Sequence, residues 1–321
     1  MQSLLIDGDA HLKDSAHVYV LGVFDGVHLG HQALIREATS RAQARKVGAY
    51  TFDVHPLAVI DPPHAPSMIA TLPEKLVLLA EAGVDLCVVQ RFSHEYAALT
   101  PEEFVERVII DTLGAREIVI GFNYSFGRRG EGSPAILQSL CSARGVAVTC
   151  VSPVMQDGLP VASTEIRSAI ASGDVERAAR LLGRPHRVQG PVVRGRGVGR
   201  TIGMPTANVA VAPEISIPAD GVYAVIATWR RTPGGARERA AGVCDIGWRP
   251  TFPGVTPARV VEAHLLRVDE DLYGLDLRLE FIARLRDEIR FRDPAALRAQ
   301  VAADIERAMQ VLSVYTSSQL C

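Results

Sequence analysis

The sequence predicts an α/β chain of two domains. The first is a doubly wound parallel sheet. The second is a small antiparallel β-barrel closed by a C-terminal helix. Three observations carry this reading. From residue 17 to about residue 182, short apolar runs alternate with helical patterns, as in parallel βαβ units. Beyond Arg184-Pro185, strand patterns follow one another with turn signals and no helix between them. The length, 321 residues, is comfortable for two domains and long for one.

Taken in order, His17 to Phe24 reads as a buried strand that breaks at Asp25-Gly26, and a helix is expected from about His28 to Arg45. Val47 to Phe52 is the next strand, Leu72 to Ala82 a helix and Val84 to Gln90 a strand. Thr100-Pro101-Glu102-Glu103 has the composition of a helix start, with proline at the first helical position, and that helix is expected to reach Leu113. Glu117 to Phe122 and Val146 to Val151 are strands flanking a helix from Pro134 to Ala143. Val175 to Leu182 is helical and stops at Gly183, with Pro185 two residues on. The boundary is therefore expected there, giving domains 1–183 and 184–321. Strands then follow at Val188–Val193, Gly221–Ala227, Gly242–Ile246, Val260–Leu266 and Leu275–Ala283, and a last amphipathic helix at about Pro294–Val314.

Composition narrows the functional classes. The net charge of −2 gives no electrostatic argument for nucleic acid or an anionic membrane. No GxxxxGK[ST] loop occurs, so phosphate chemistry has to use backbone N–H groups, Arg, His and a metal. The five cysteines are scattered and form no CxxC pair, which points to a reducing compartment. No signal peptide or membrane span is apparent, and a cytoplasmic protein is expected.

The unusual residues cluster at predicted strand ends, where open parallel sheets bind ligands. Gly22-Val23-Phe24-Asp25-Gly26-Val27-His28-Leu29-Gly30-His31 leads from the first strand into a helix. Its N-terminus offers free N–H groups and a positive dipole end to an anion. Two imidazoles three apart are expected on one face of its first turn, able to stabilise charge during nucleotidyl transfer. Gly30 leaves room for a ligand near the backbone, and Gly22, Phe24 and Asp25 complete this candidate binding loop. His55-Pro56 follows the second strand. The loop Gly121 to Gly132 combines Asn123, Phe126 and paired arginines, with aromatic faces suited to a flat ring. Ser163 is a candidate N-cap, and the first-turn amides around Thr164, with Arg167, could hold a phosphate. In the second half, Gly195, Gly197 and Gly199 form a glycine-rich loop before Pro205-Thr206-Ala207-Asn208. Thr206 and Asn208 face one side of an extended segment and offer hard oxygens for Mg²⁺ beside a phosphate. Glu262 interrupts an apolar strand, with His264 on the same face.

GVFDGVHLGHQ, FDVHP, GFNYSFG and ASTEIR, in this order, resemble the adenylyltransferase domain of bacterial bifunctional riboflavin kinase/FAD synthetases, and more distantly the HxGH nucleotidylyltransferases. GRGVGRTIGMPTANV, DIGWRPTF, VEAHLL and RLRDEIRF resemble the riboflavin kinase domain of the same family. The resemblance implies that His28 and His31 handle the ATP phosphates and that Asn123 lies near the transferred group. It also implies that His55-Pro56 lies beside flavin and phosphates, and that Ser163, Thr164 and Arg167 belong to a nucleotide signature. In the second half it implies that Thr206 and Asn208 bind Mg²⁺–ATP, that Glu262 is the base, and that Arg286 joins Gly195, Gly197, Gly199 and Pro205 around the ligands. Ala162 departs from the family's usual serine. The implied activities are phosphorylation of riboflavin to FMN and adenylylation of FMN to FAD, with small-molecule partners only: ATP, riboflavin and FMN. The alternatives are a chain with one active domain, a flavin-sensing regulator without turnover, and a tRNA-charging relative, which the length and charge disfavour.

Overall fold

The computed structural model describes residues 1–7, 12, 17–195, 204–232, 234–249, 258–289 and 291–318. The chain packs as two compact units, Met1–Ser163 and Thr164–Cys321.

The first unit is built on six strands: β1 (Gln2–Ile6), β2 (His17–Leu21), β3 (Lys46–Phe52), β4 (Leu86–Gln90), β5 (Glu117–Gly121) and β6 (Ala147–Val151). Their order is β1-β4-β3-β2-β5-β6, and every neighbouring pair is parallel. Helices α1 (Leu29–Ala42), α2 (Pro56–Ile60), α3 (Leu72–Glu81), α4 (His94–Ala97), α5 (Pro101–Phe104) and α6 (Pro134–Ser142) connect them. A two-stranded ribbon, β7 (Met155–Gln156) with β8 (Leu159–Pro160), follows the sheet.

The alternation of β2 explains the double winding. Val18 and Val20 pack with Leu34, Ile35 and Ala38 of α1 and with Leu78 and Leu79 of α3. Tyr19 and Leu21 face the other side, among Phe104, Ile109 and Leu137. Apolar side chains on both faces are what a parallel sheet covered by helices on both sides requires.

Several boundaries differ from the expectation for local reasons. Strand β2 ends at Leu21, because Phe24 adopts a left-handed backbone (φ 52°). Helix α1 starts one residue later than expected and ends at Ala42, since Gln43 also has positive φ (52°). The helix expected over 101–113 is α-helical only to Phe104 and runs on as a π-helix over Val105–Thr112. Its start is a capping box: Thr100 Oγ1 accepts from Glu103 N, and Glu103 Oε2 accepts from Thr100 N.

Helix α7 (Ser163–Ser172), which lies in the second unit from Thr164 onward, is followed by α8 (Val175–Leu182). Gly183, in the left-handed region at φ 74°, ends α8 as anticipated. Six strands then close a barrel: β9 (His186–Val193), β10 (Ala207–Val209), β11 (Gly221–Trp229), β12 (Glu238–Arg249), β13 (Ala258–Leu265) and β14 (Asp276–Arg286). The order around the barrel is β10-β13-β12-β11-β14-β9, all antiparallel. Helix α9 (Pro294–Ser318) lies across it, with Ala308 and Leu312 against Val222, Ala224 and Ile226 of β11. Strand β11 is thus buried on both faces from Gly221 to Ala227.

Candidate active sites

The sheet order reverses at β2: β3 and β4 lie to one side, β5 and β6 to the other. This is a topological switch point, and the crevice beyond the carboxyl ends of β2 and β5 is where such sheets bind ligands. The loop after β2 carries His28 and His31, and the loop after β5 carries the exposed Asn123.

The first loop is held in a costly conformation. Phe24 (φ 52°), Gly26 (φ 74°) and Val27 (φ 42°) are all left-handed, and a β-branched residue rarely adopts that region. Several fasteners hold it. Asp25 is 1% exposed, and its carboxylate accepts the N–H groups of Ile69 (2.9 and 3.1 Å) and Ala70 (3.2 Å). Gln32 Nε2 donates to Val27 O (3.0 Å), Thr51 Oγ1 donates to Val23 O (2.9 Å), and Ser163 Oγ donates to Asp25 O (3.4 Å). Gly22 lies under the Phe24 ring, where a Cβ would come within 3.2 Å. The Asp25 carboxylate therefore shapes the loop through backbone amides.

The histidines are arranged differently from two residues on one helical turn. His28 has extended backbone and is the N-cap of α1; its Nδ1 accepts from His31 N at 3.4 Å. That bond leaves Nε2 as the protonated nitrogen of the neutral ring. The two imidazoles stack at 3.6 Å between centroids, and Phe24 meets the His31 ring edge-on at 5.1 Å. Burial, then the neighbouring His28 and Lys75, holds His31 well below the ordinary imidazole range. Gly30 is explained by this stack: a Cβ there would sit 3.0 Å from His28 Cε1. The expectation that Gly30 leaves room for a ligand is corrected accordingly, since the His28 ring fills that space.

His55 caps α2, its Nδ1 accepting from Leu57 N at 3.2 Å, with Pro56 at the first helical position. Phe126 is a correction too. Its ring is 6% exposed and packs with Phe104 and Tyr124, and Gly132 lies directly against it, so it belongs to the core. The aromatic side chains at the ends of β3 and β4 were not singled out from the sequence. There Phe52 meets Phe92 at 5.0 Å and Tyr96 at 5.6 Å, and the Tyr50 and Tyr96 hydroxyls lie 2.9 Å apart. Lys75 was missed as well, because a helical Glu-Lys pair reads as a solvated face, yet Lys75 is 1% exposed. Ser163 is the first residue of α7 and not its cap; Thr164 and Arg167 follow on that helix in the second unit, Thr164 exposed and Arg167 half-buried.

The second constellation lies on the barrel. Strand β10 is extended, with Ala207 and Val209 buried and Thr206 and Asn208 half-buried on the opposite side. Asn208 is register partner to Glu262 on β13, and Glu262 to Asp245 on β12, so three polar residues form a cross-strand row. Thr206 Oγ1 donates to Glu262 Oε1 at 2.5 Å. A hydroxyl that donates its proton to a carboxylate keeps its lone pairs for a hard cation. His264 Nδ1–H donates to Pro205 O at 2.8 Å and fixes the start of the PTAN segment. Gly195 lies directly against the Asn208 side-chain amide, which a Cβ there would displace. Gly197 and Gly199 lie outside the described residues. Arg286 is held by α9: its Nε is 3.0 Å from both oxygens of Asp304, and its Nη2 is 2.8 Å from Oδ2.

Comparison with known proteins agrees with both halves. Residues 11–165 match the FAD synthetase family and residues 182–312 the riboflavin kinase family. The bifunctional riboflavin kinase/FMN adenylyltransferase of Escherichia coli (strain K12) is 36% identical over 289 residues, 89% of this chain and 90% of that protein. That of Bacillus subtilis (strain 168) is 32% identical over 320 residues, 98% and 99% of the two chains. A crystal structure described as a macrolide-efflux protein from Streptococcus pneumoniae superposes with a TM-score of 0.85 at 32% identity, covering 96% of this chain and 99% of that one. Among the described residues of this chain no helix is long and apolar enough to cross a membrane. With whole-length relatives and both domain matches in the same order, the chain belongs to the bifunctional riboflavin kinase/FMN adenylyltransferase family.

Proposed function

We propose that the chain makes FAD from riboflavin in two ATP-dependent steps. The 184–321 half phosphorylates riboflavin to FMN, and the 1–183 half transfers AMP from ATP to FMN, releasing pyrophosphate. The observation that carries the reading is the pair of separate constellations in one chain: stacked imidazoles at the switch point of a parallel sheet, and Thr206, Asn208 and Glu262 on a barrel.

In the kinase half, Glu262 accepts the proton of the ribityl 5′-hydroxyl as its oxygen attacks the γ-phosphorus, and ADP departs. Oε1 is occupied by the Thr206 hydroxyl, which orients the carboxylate and leaves Oε2 for the substrate. The oxygens of Thr206 and Asn208 would hold Mg²⁺, a fit supported by their hard-donor chemistry and by their place beside the Glu262 carboxylate. When bound, the ion supplies neutralisation of the phosphate charge. Gly195 keeps the Asn208 amide close to the backbone, and Pro205 is tied by His264.

In the adenylyltransferase half, a phosphate oxygen of FMN attacks the α-phosphorus of ATP, and the bond to the β-phosphate oxygen breaks. The nucleophile is already an anion, so no general base is needed. His28 and His31 donate hydrogen bonds to the charge that develops, and the α1 amides add their dipole. Asn123 lies near the transferred group, His55-Pro56 beside flavin and phosphates, and Ser163, Thr164 and Arg167 with the nucleotide. The scattered cysteines and the use of ATP support a cytoplasmic location.

Glu262→Gln is expected to lower FMN formation by roughly 100-fold or more, while FAD formation from supplied FMN stays at the parental rate. His31→Ala is expected to do the reverse. Chromatographic separation of riboflavin, FMN and FAD reads both. Loss of both products in either variant would overturn the assignment of one step to each half.

A further inference from the structure

The loop that carries His28 adopts three consecutive or near-consecutive left-handed residues, and backbone strain of that kind persists only where neighbours over-determine it. Part of that restraint comes from α3 and the segment before it. Ile69 and Ala70 hold the Asp25 carboxylate through their amides, and one turn into α3 Lys75 reaches the same loop. Its Nζ donates to Val23 O (3.2 Å), to Thr51 Oγ1 (3.2 Å) and to Phe52 O (2.7 Å). Thr51 Oγ1 in turn donates to Val23 O, so the ammonium closes a polar knot joining the end of β3 to the loop after β2.

We propose that Lys75 is a positioning residue for adenylyl transfer: its buried ammonium clamps the left-handed loop that aims His28 and His31 and keeps a fixed positive charge beside them. The inference rests on the reading of those histidines as the phosphate-handling pair.

Two further observations support it. The chain uses lysine at only three positions, 13, 46 and 75, and arginine for its other cations. Here the ammonium is specifically suited: three donors radiate from one atom to three acceptors, which a planar guanidinium cannot do from one point. Among the described residues the ammonium has no direct carboxylate hydrogen bond, its three acceptors being two carbonyls and a hydroxyl, so its charge is left to act on its surroundings. The titratable groups around it are Asp25 of the loop, Asp53 after β3, Cys87 of β4 and His31 of α1. Burial brings Lys75 down to about 8, opposed by Cys87 and then by Asp25 and Asp53, and burial pushes the Cys87 thiol up to about 12. Lys75 is therefore charged at pH 7 and loses its proton as pH rises through about 8, while Cys87 stays a thiol.

The test uses the full chain and measures FAD formation from FMN and FMN formation from riboflavin on the same preparations. Lys75→Met is expected to lower kcat for FAD formation by roughly 100-fold, the cost of a displaced catalytic pair, with a smaller change in KM for ATP. Riboflavin phosphorylation is expected to be unaffected. Lys75→Arg keeps the charge and is expected not to restore the rate. In the parent, FAD formation is expected to fall on the alkaline side around pH 8 while FMN formation does not. A Lys75→Met protein with parental kcat and an unchanged pH profile overturns the inference. Should Lys75→Met fail to fold, Lys75→Gln is measured in its place, and a parental kcat for FAD formation in that variant overturns the inference. His31→Ala is run alongside. If it keeps full FAD formation, the histidine assignment itself has failed; if it is inactive and Lys75→Met is not, only the role of Lys75 has failed.

Discussion

His31, half-buried, and His186, buried, are both imidazoles held neutral, for different ends. His31 faces the switch-point loop, whereas His186, 1% exposed, donates from Nε2 to Ser216 O at 2.9 Å and stacks on Phe281 inside the second unit. Burial brings His186 down to about 4 from an ordinary 6.5, partly offset by its bond to Ser216. Between those values the unfolded chain binds a proton that the folded chain does not, so stability rises with pH across that window. The second unit is expected to lose on the order of 3 kcal/mol as pH falls from about 6.5 to 4. His186→Gln is expected to flatten this acid limb, and urea midpoints of parent and variant compared between pH 4 and 7 read the difference. At this scale the sequence was partly legible. His28 and His31 stand out by their place between a strand and a helix, Thr206 and Asn208 by their spacing after a glycine-rich loop, and Glu262 by interrupting an apolar strand. Asp25 and Phe126 also stand out, yet their side chains turn into the protein, and no local pattern distinguishes a carboxylate held by distant amides from one that faces a ligand. Lys75 was illegible for the same reason, its partners being supplied by β3 and the loop after β2.

At the scale of elements, long periodic segments and apolar runs were read well, and short strands lacking both were not. Strand β1 was not read because it is an edge strand that pairs with β4 and buries only Ile6 fully, so it lacks the apolar run of the equally short inner strands. Strand β10 has three residues, too few to show an alternation. The C-terminal helix was legible, but the way it is fastened was not. Arg286, expected among the ligand-binding residues, is bound to Asp304, which is 4% exposed and also accepts from Gln300 Nε2 at 2.9 Å. Arg307 adds a bond to Leu285 O at 2.8 Å. Asp304→Asn is expected to destabilise the barrel by about 2 kcal/mol, the range for charge-assisted hydrogen bonds, as read by chemical denaturation. Its KM values are expected to stay near those of the parent, whereas a raised KM for either substrate would show that the Arg286–Asp304 pair also serves the ligand site.

For the whole molecule, two activities in one chain raise the question of how FMN reaches the second site. Two compact units, each with its own constellation, make free diffusion the simplest route. Glu262→Gln and His31→Ala proteins mixed in one vessel with riboflavin, ATP and Mg²⁺ are therefore expected to form FAD after a lag, although neither does so alone. FMN accumulation without FAD in the mixture would show that the intermediate has to be handed on within one chain. The two-domain plan was legible because the change from alternating helices and strands to strands alone is a change of period over many residues. Packing divides the chain at Ser163/Thr164, ahead of the expected boundary, because α8 packs against β14 and β9 of the barrel.

Among the described residues the barrel is thinnest around β10, which shares three register pairs with β13 and two with β9. Strands β9 and β10 meet through only two register pairs, Asn208 with Val193 and Val209 with Val192, whereas β11 and β12 share nine. The residue proposed to hold the cation, Asn208, is a member of that joint. A ligand that binds only the closed ring adds its occupancy to the ring's stability by mass action, about 2.7 kcal/mol at a hundredfold excess over Kd. Substrate would then act as the clasp of the hoop, and the unliganded barrel would be weakest at the seam where its chemistry begins.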